Sequence, residues 1–120
     1  MKISILLPYK ENFSPEYAGA VSLFVKDTTN ISSFKSQITV YGNTNFKKKY
    51  KINYKNIFLK KKFLNSTSKR YIEEFLFNEI KNPSDLIEVH NRPVYIKPII
   101  EKLKKNIILY YHNDPLSMAG

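Results

Sequence analysis

The sequence predicts a doubly wound α/β domain, with a mainly parallel sheet of about five strands between helices in three layers, α/β/α. Three observations carry that expectation. Short apolar runs of strand length alternate along the chain with stretches of helical period. The first run, Ile3-Ser4-Ile5-Leu6-Leu7, is almost continuously apolar, as suits a strand buried on both faces. The 120 residues are 42% hydrophobic and 14% aromatic, enough for one buried core and too much for a disordered tail.

The elements follow in order. Pro8 closes the first strand, and Tyr9 to Tyr17, polar and carrying Pro15, reads as a loop. Ala18-Gly19-Ala20 opens a helix to about Thr29, with Val21, Phe24 and Val25 at helical spacing. Ser36 to Tyr41 alternates through Ile38 and Val40 and ends on the turn signal Gly42-Asn43, a second strand. Asn43 to Lys55 reads as a lysine-rich loop, and Ile57-Phe58-Leu59 as a short third strand. Ser66 or Ser68 caps a second helix to about Ile80, whose apolar stripe is Ile72, Phe75, Leu76 and Ile80, and Asn82-Pro83 stops it. Leu86 to His90 is a fourth strand, Pro98 sits in the first turn of a helix to about Lys104, and Ile107 to Tyr111 is a fifth strand. No repeat or linker marks a second domain, and the tail from Asn113 is loop-like.

Composition narrows the chemistry. Cysteine is absent, which excludes disulfides, thiol nucleophiles and cysteine-held clusters. His90 and His112 are the two histidines, too few for a histidine-rich metal site. Twenty basic against ten acidic residues give a net charge of +10, spread through Lys47-Lys48-Lys49, Lys60-Lys61-Lys62, Lys69-Arg70 and Lys104-Lys105. That balance suits anionic partners, or reflects lysine used as the general solvating residue. No apolar run approaches the roughly 20 residues that span a bilayer, and the first residues lack a signal-peptide pattern. The expectation is a cytoplasmic chain, with a lysine-rich surface suited to the inner face of an anionic membrane.

Ligands of doubly wound sheets bind at the carboxyl ends of the strands, where the strand order reverses. Two such ends repeat one pattern: Val89-His90-Asn91-Arg92-Pro93 and Tyr111-His112-Asn113-Asp114-Pro115. A histidine there titrates near neutrality or donates a hydrogen bond, and Asn, Asp and Arg grip hydroxyls or phosphate. The alternative is that each histidine caps its strand and bonds a nearby carbonyl. Other chemistries fall away. Ser14, Ser22 and Ser117 lack a Gly-x-Ser-x-Gly setting. Glu73 and Glu74 are adjacent on a helix and point to different faces. Glycine occurs at Gly19, Gly42 and Gly120, so the dinucleotide fingerprint G-x-G-x-x-G is missing.

The His-Asn-Arg-Pro and His-Asn-Asp-Pro strand ends, with the opening Met-Lys-Ile-Ser-Ile-Leu-Leu-Pro and the Gly19-Ala20 entry to a helix, resemble the amino-terminal half of a family-4 glycosyltransferase of the GT-B fold. The resemblance spans essentially the whole chain. It implies a Rossmann-like domain on the acceptor side of a retaining, metal-independent sugar transfer, as in cell-surface polysaccharide synthesis. The nucleotide sugar is then a co-substrate, no resident cofactor is needed, and the acceptor is a glycan or a lipid-linked glycan. His112 matches the histidine that contacts the donor sugar near the reacting centre. Gly19 and Ala20 match the loop beside the donor phosphates. His90, Asn91, Arg92, Asn113 and Asp114 line the acceptor side. The family usually has Gly-Gly where this chain has Ala18-Gly19-Ala20. The carboxyl-terminal donor-binding domain lies outside these 120 residues, so the chain alone is expected to be inactive.

A second reading is a basic, non-enzymatic binding module for nucleic acid or another anion. It draws on the net charge and on Lys49-Tyr50-Lys51 and Asn53-Tyr54-Lys55, where tyrosines interleave with lysines.

Overall fold

The computed structural model describes residues 1–59, 67–103 and 106–110. The elements in chain order are β1 (Ile3–Leu6), α1 (Ala20–Ile31), β2 (Ile38–Gly42), β3 (Tyr54–Asn56), α2 (Thr67–Lys81), β4 (Leu86–His90), α3 (Ile96–Leu103) and β5 (Asn106–Tyr110). Short 3₁₀ turns at Lys35–Gln37 and Pro93–Tyr95 lead into β2 and α3. The five strands make one wholly parallel sheet in the order β3-β2-β1-β4-β5. The predicted doubly wound, Rossmann-like α/β architecture is therefore present.

β1 is central because its residues are buried in succession. Ile3, Ser4, Ile5 and Leu6 pair with Ile38 to Tyr41 on one side and with Leu86 to Val89 on the other. Alternate side chains face opposite layers. Ile3, Ile5, Leu7, Ile38 and Val40 pack with Phe13, and with Val21 and Val25 of α1. Leu6, Tyr41, Ile87 and Val89 pack with Tyr71, Ile72, Phe75 and Leu76 of α2, and with Tyr95 and Ile99. Each fully buried aliphatic or aromatic side chain contributes about 1.5–3 kcal/mol. The two layers thus clamp the same strand from both sides.

Three expectations shift. The third strand is Tyr54–Asn56, just before the predicted Ile57-Phe58-Leu59. Tyr54 pairs with Val40 in register, and its ring stacks 5.5 Å from Phe13. Ile57 is buried just beyond the strand, while Phe58 is exposed. The buried stripe of α2 is Tyr71, Ile72, Phe75, Leu76 and Glu79, and Ile80 is 62% exposed. Glu79 takes the inner position because Ser84 donates both its amide and its hydroxyl to that carboxylate. On α1, Ser22 and Thr29 join Val21 and Val25 inside, and Phe24 lies on the flank. Glu73 and Glu74 are exposed. No described helix is long and apolar enough to cross a membrane.

Tyr71 ties α2 to the exit of β1: its buried hydroxyl donates to the Leu7 carbonyl at 2.7 Å. Tyr71→Phe is expected to cost about 1–2 kcal/mol in urea unfolding, because that buried carbonyl loses its donor. A midpoint unchanged from the parent would show that the bond is inert.

Candidate functional site

The chain runs from β1 outward to β2 and β3, then returns across the sheet to β4 and β5. The strand order reverses between β1 and β4, and their carboxyl ends splay around a crevice.

The β1 side of that crevice is a tight turn. Pro8 is buried, the Glu11 amide donates to the Pro8 carbonyl at 3.1 Å, and Lys10 adopts φ 67°. The Tyr9 amide donates to the Tyr95 hydroxyl at 3.2 Å, and the Tyr9 ring meets Tyr71 edge-on at 5.4 Å. These contacts hold the turn against both α2 and the start of α3. The turn then delivers Glu11 to the beginning of α1. There Gly19 is the N-cap, with φ −81°, and offers no capping side chain. The Glu11 carboxylate lies directly over the Gly19 Cα, in the space a Cβ would need. A Cβ at this position would have to displace the Glu11 carboxylate, and the backbone is not left-handed. Burial pushes the Glu11 carboxyl above the ordinary carboxylate range. The Ser22 hydroxyl, the Arg92 guanidinium and the Ser22 and Gly19 amides offset part of that rise. No capping side chain hydrogen-bonds this end of α1; the Glu11 carboxylate stands over it from eight positions away.

The β4 side is built by a reversal. Asn91 takes φ 58°, donates its amide to the Tyr110 carbonyl at 2.8 Å and accepts an Arg92 Nη1 bond at 2.7 Å. Arg92 is exposed, whereas Asn91 is buried except for its edge on the crevice. The crevice encloses about 220 Å³, lined by Pro8, Tyr9, Lys10, Glu11, Val21, Asn91 and Arg92. Two cations, one carboxylate and a helix start converge on it. A larger, mostly apolar groove of about 370 Å³ between α2 and α3 is lined by Ile72, Leu76, Val94 and Pro98 together with Lys69, Glu73, Glu101 and Lys102.

The predicted site residues separate. Asn91 and Arg92 line the crevice, whereas Gly19 and Ala20 do not: Val21 is the α1 residue on its wall, and Gly19 is reached through the Glu11 carboxylate that covers it. The His90 imidazole is 1% exposed and stacks flat on Tyr110, with ring centroids 4.8 Å apart and planes at 4°. Phe24 of α1 closes over both rings at about 6 Å, and the Glu88 carboxylate lies 3.6 Å from Nε2. His90 is thus a packed ring at the strand end, not an open lip of the cleft. Glu88, followed by burial, pushes the Tyr110 hydroxyl up. His112, Asn113 and Asp114 lie outside the described residues.

Lys10 and Glu11 escaped the sequence reading. The available signal was a helix entry, Ala18-Gly19-Ala20, with no capping side chain of its own, which calls for a donor or acceptor from elsewhere. Among the described residues, no group of three or more His, Cys, Asp or Glu side chains is placed to hold a metal ion. Comparison with protein-family models, with curated proteins and with solved structures gives no match.

Proposed function

We infer that this chain supplies the acceptor-side half of a nucleotide-sugar-dependent glycosyltransferase. One observation carries the reading: the reversal of strand order gathers the α1 start, Asn91 and Arg92 around a single polar crevice. Sugar transfer leaves negative charge on the departing phosphate. Backbone amides at a helix start, with a guanidinium opposite, stabilise that charge without reorganising. Arg92 offers a planar fork for phosphate or vicinal hydroxyls, and the Asn91 amide reads hydroxyls as donor and acceptor. In this reading His112 contacts the donor sugar, Asn113 and Asp114 flank it, and His90 fixes the Asn91 reversal from beneath. The nucleotide sugar is a co-substrate, a glycan or lipid-linked glycan is the acceptor, and a second, donor-gripping domain completes turnover.

The second reading, an anion-binding module that stacks nucleic-acid bases, is less well served. Tyr50 donates its hydroxyl to the Ser14 carbonyl and meets Phe13 at 4.9 Å. Tyr54 hydrogen-bonds Thr44 and Asn56, and burial pushes its hydroxyl up to about 12. Both rings are engaged with the protein's own residues, leaving the lysines as the cationic contacts for an anion.

Titrating the chain with UDP- or GDP-sugars under ¹H–¹⁵N NMR tests the choice. Shifts are expected at Gly19, Ala20, Asn91 and Arg92, and Arg92→Ala is expected to weaken binding by about tenfold or more, the value of a charge-assisted hydrogen bond. Shifts confined to the lysine loops, matched by salt-sensitive retention on DNA, would transfer the case to the binding module.

A further inference from the structure

The start of α1 is a place for an anion, and the chain has put one there. The Glu11 carboxylate presses on Gly19, beside the Ser22 amide and the Ser22 hydroxyl. That hydroxyl is 0% exposed and lies against the carboxylate without a hydrogen bond of normal geometry. The same carboxylate forms part of the wall of the 220 Å³ crevice, opposite Arg92.

We propose that Glu11 is a resident anion in the seat at the start of α1, which a phosphoryl or sulfate oxyanion entering the crevice displaces. This rests on the reading of the crevice as a phosphate site and adds its regulation. With Glu11 seated, an incoming oxyanion meets a like charge and finds the space over Gly19 occupied. With Glu11 swung out or neutralised, it meets the amides of Gly19 and Ser22, the Ser22 hydroxyl that the carboxylate leaves and the Arg92 guanidinium. Displacement needs only side-chain rotation, because the crowding over Gly19 comes from the far end of a flexible side chain.

The groups facing Glu11 fix the sign of its pH dependence. Arg92 acts on it from the β4 exit, Lys10 lines the same crevice with its ammonium over the Tyr9 ring, and the first turn of α1 carries no acidic residue. Burial outweighs these and the local donors, so the carboxyl takes up its proton above the ordinary carboxylate range. As pH falls through that titration the seat loses its charge. Oxyanion affinity therefore rises as pH falls, and the rise requires Glu11.

Sulfate is the probe, since its charge is constant across the range, and the Gly19 and Ser22 amide resonances are the readout. At neutral pH, Glu11→Gln is expected to bind sulfate at least fivefold more tightly than the parent, at matched ionic strength. The parent should approach the variant's affinity as pH falls. Equal affinity of parent and variant at every pH would overturn the resident-anion proposal while leaving the crevice as an anion site. No sulfate-induced shift of either amide in Glu11→Gln would overturn both. The parent alone provides a check that needs no substitution: its Gly19 and Ser22 amides must report the Glu11 titration, and amides that stay still would show that the carboxylate does not occupy the seat.

Discussion

Phe75→Ala is expected to remove about 3–5 kcal/mol, a large part of the stability of a domain this size. The ring is fully buried at the centre of the α2 layer, and it meets Tyr41 of β2 edge-on at 5.2 Å. Truncation forfeits the transfer energy of the ring and leaves a cavity between α2 and the middle of the sheet. The neighbours cannot collapse into it, because Tyr71 is tied to Leu7 and Ile87 and Val89 are fixed by strand pairing. Urea unfolding should show a sharply lower midpoint, or a chain unfolded without denaturant. A loss under 1 kcal/mol would mean that this layer does not carry the core.

Glu79→Ala is expected to cost about 2–4 kcal/mol, through polar groups stranded indoors. Glu79 is 2% exposed, Ser84 1% and Ser4 0%. Ser84 donates its amide to Oε2 at 3.0 Å and its hydroxyl to Oε1 at 2.7 Å. The Ser84 hydroxyl being committed to Glu79, the Ser4 hydroxyl donates to it in turn, with the oxygens 2.5 Å apart. The chain of bonds runs from the end of α2, through the entry to β4, into β1. Alanine leaves two donors of Ser84 facing a void, whereas Glu79→Gln keeps one side-chain acceptor and should lose about half as much. Equal losses for the two variants would show that packing, not hydrogen bonding, sets the cost.

The order of elements was legible because each apolar run has the length and period of its element, and the crossovers between parallel strands leave few topologies. β3 was misplaced because Tyr54-Lys55-Asn56 carries its weight in a ring and in polar side chains. Tyr54 finds Phe13, and Asn56 accepts the Thr44 amide at 2.7 Å. An apolar count cannot see partners that lie 41 and 12 positions away. Ile80 and Glu79 exchanged places for the same reason, since Ser84 redeems the carboxylate only after α2 has turned back toward the sheet. In the site, the approach of the first turn of α1, at Val21, to Asn91 and Arg92 followed from strand order. The burial of His90 did not. It depends on the register that sets His90 opposite Tyr110, and on Phe24 leaning across from α1.

The position of β1 has a consequence for synthesis. The ribosome delivers this strand before the other four, yet it gains one neighbour only when residues 38–41 emerge and the other only with residues 86–89. Until then its open border can recruit any extended segment nearby, its own or a bystander's. Yield from a cell should therefore depend less on how firmly the finished molecule holds than on how long its founding strand waits for company.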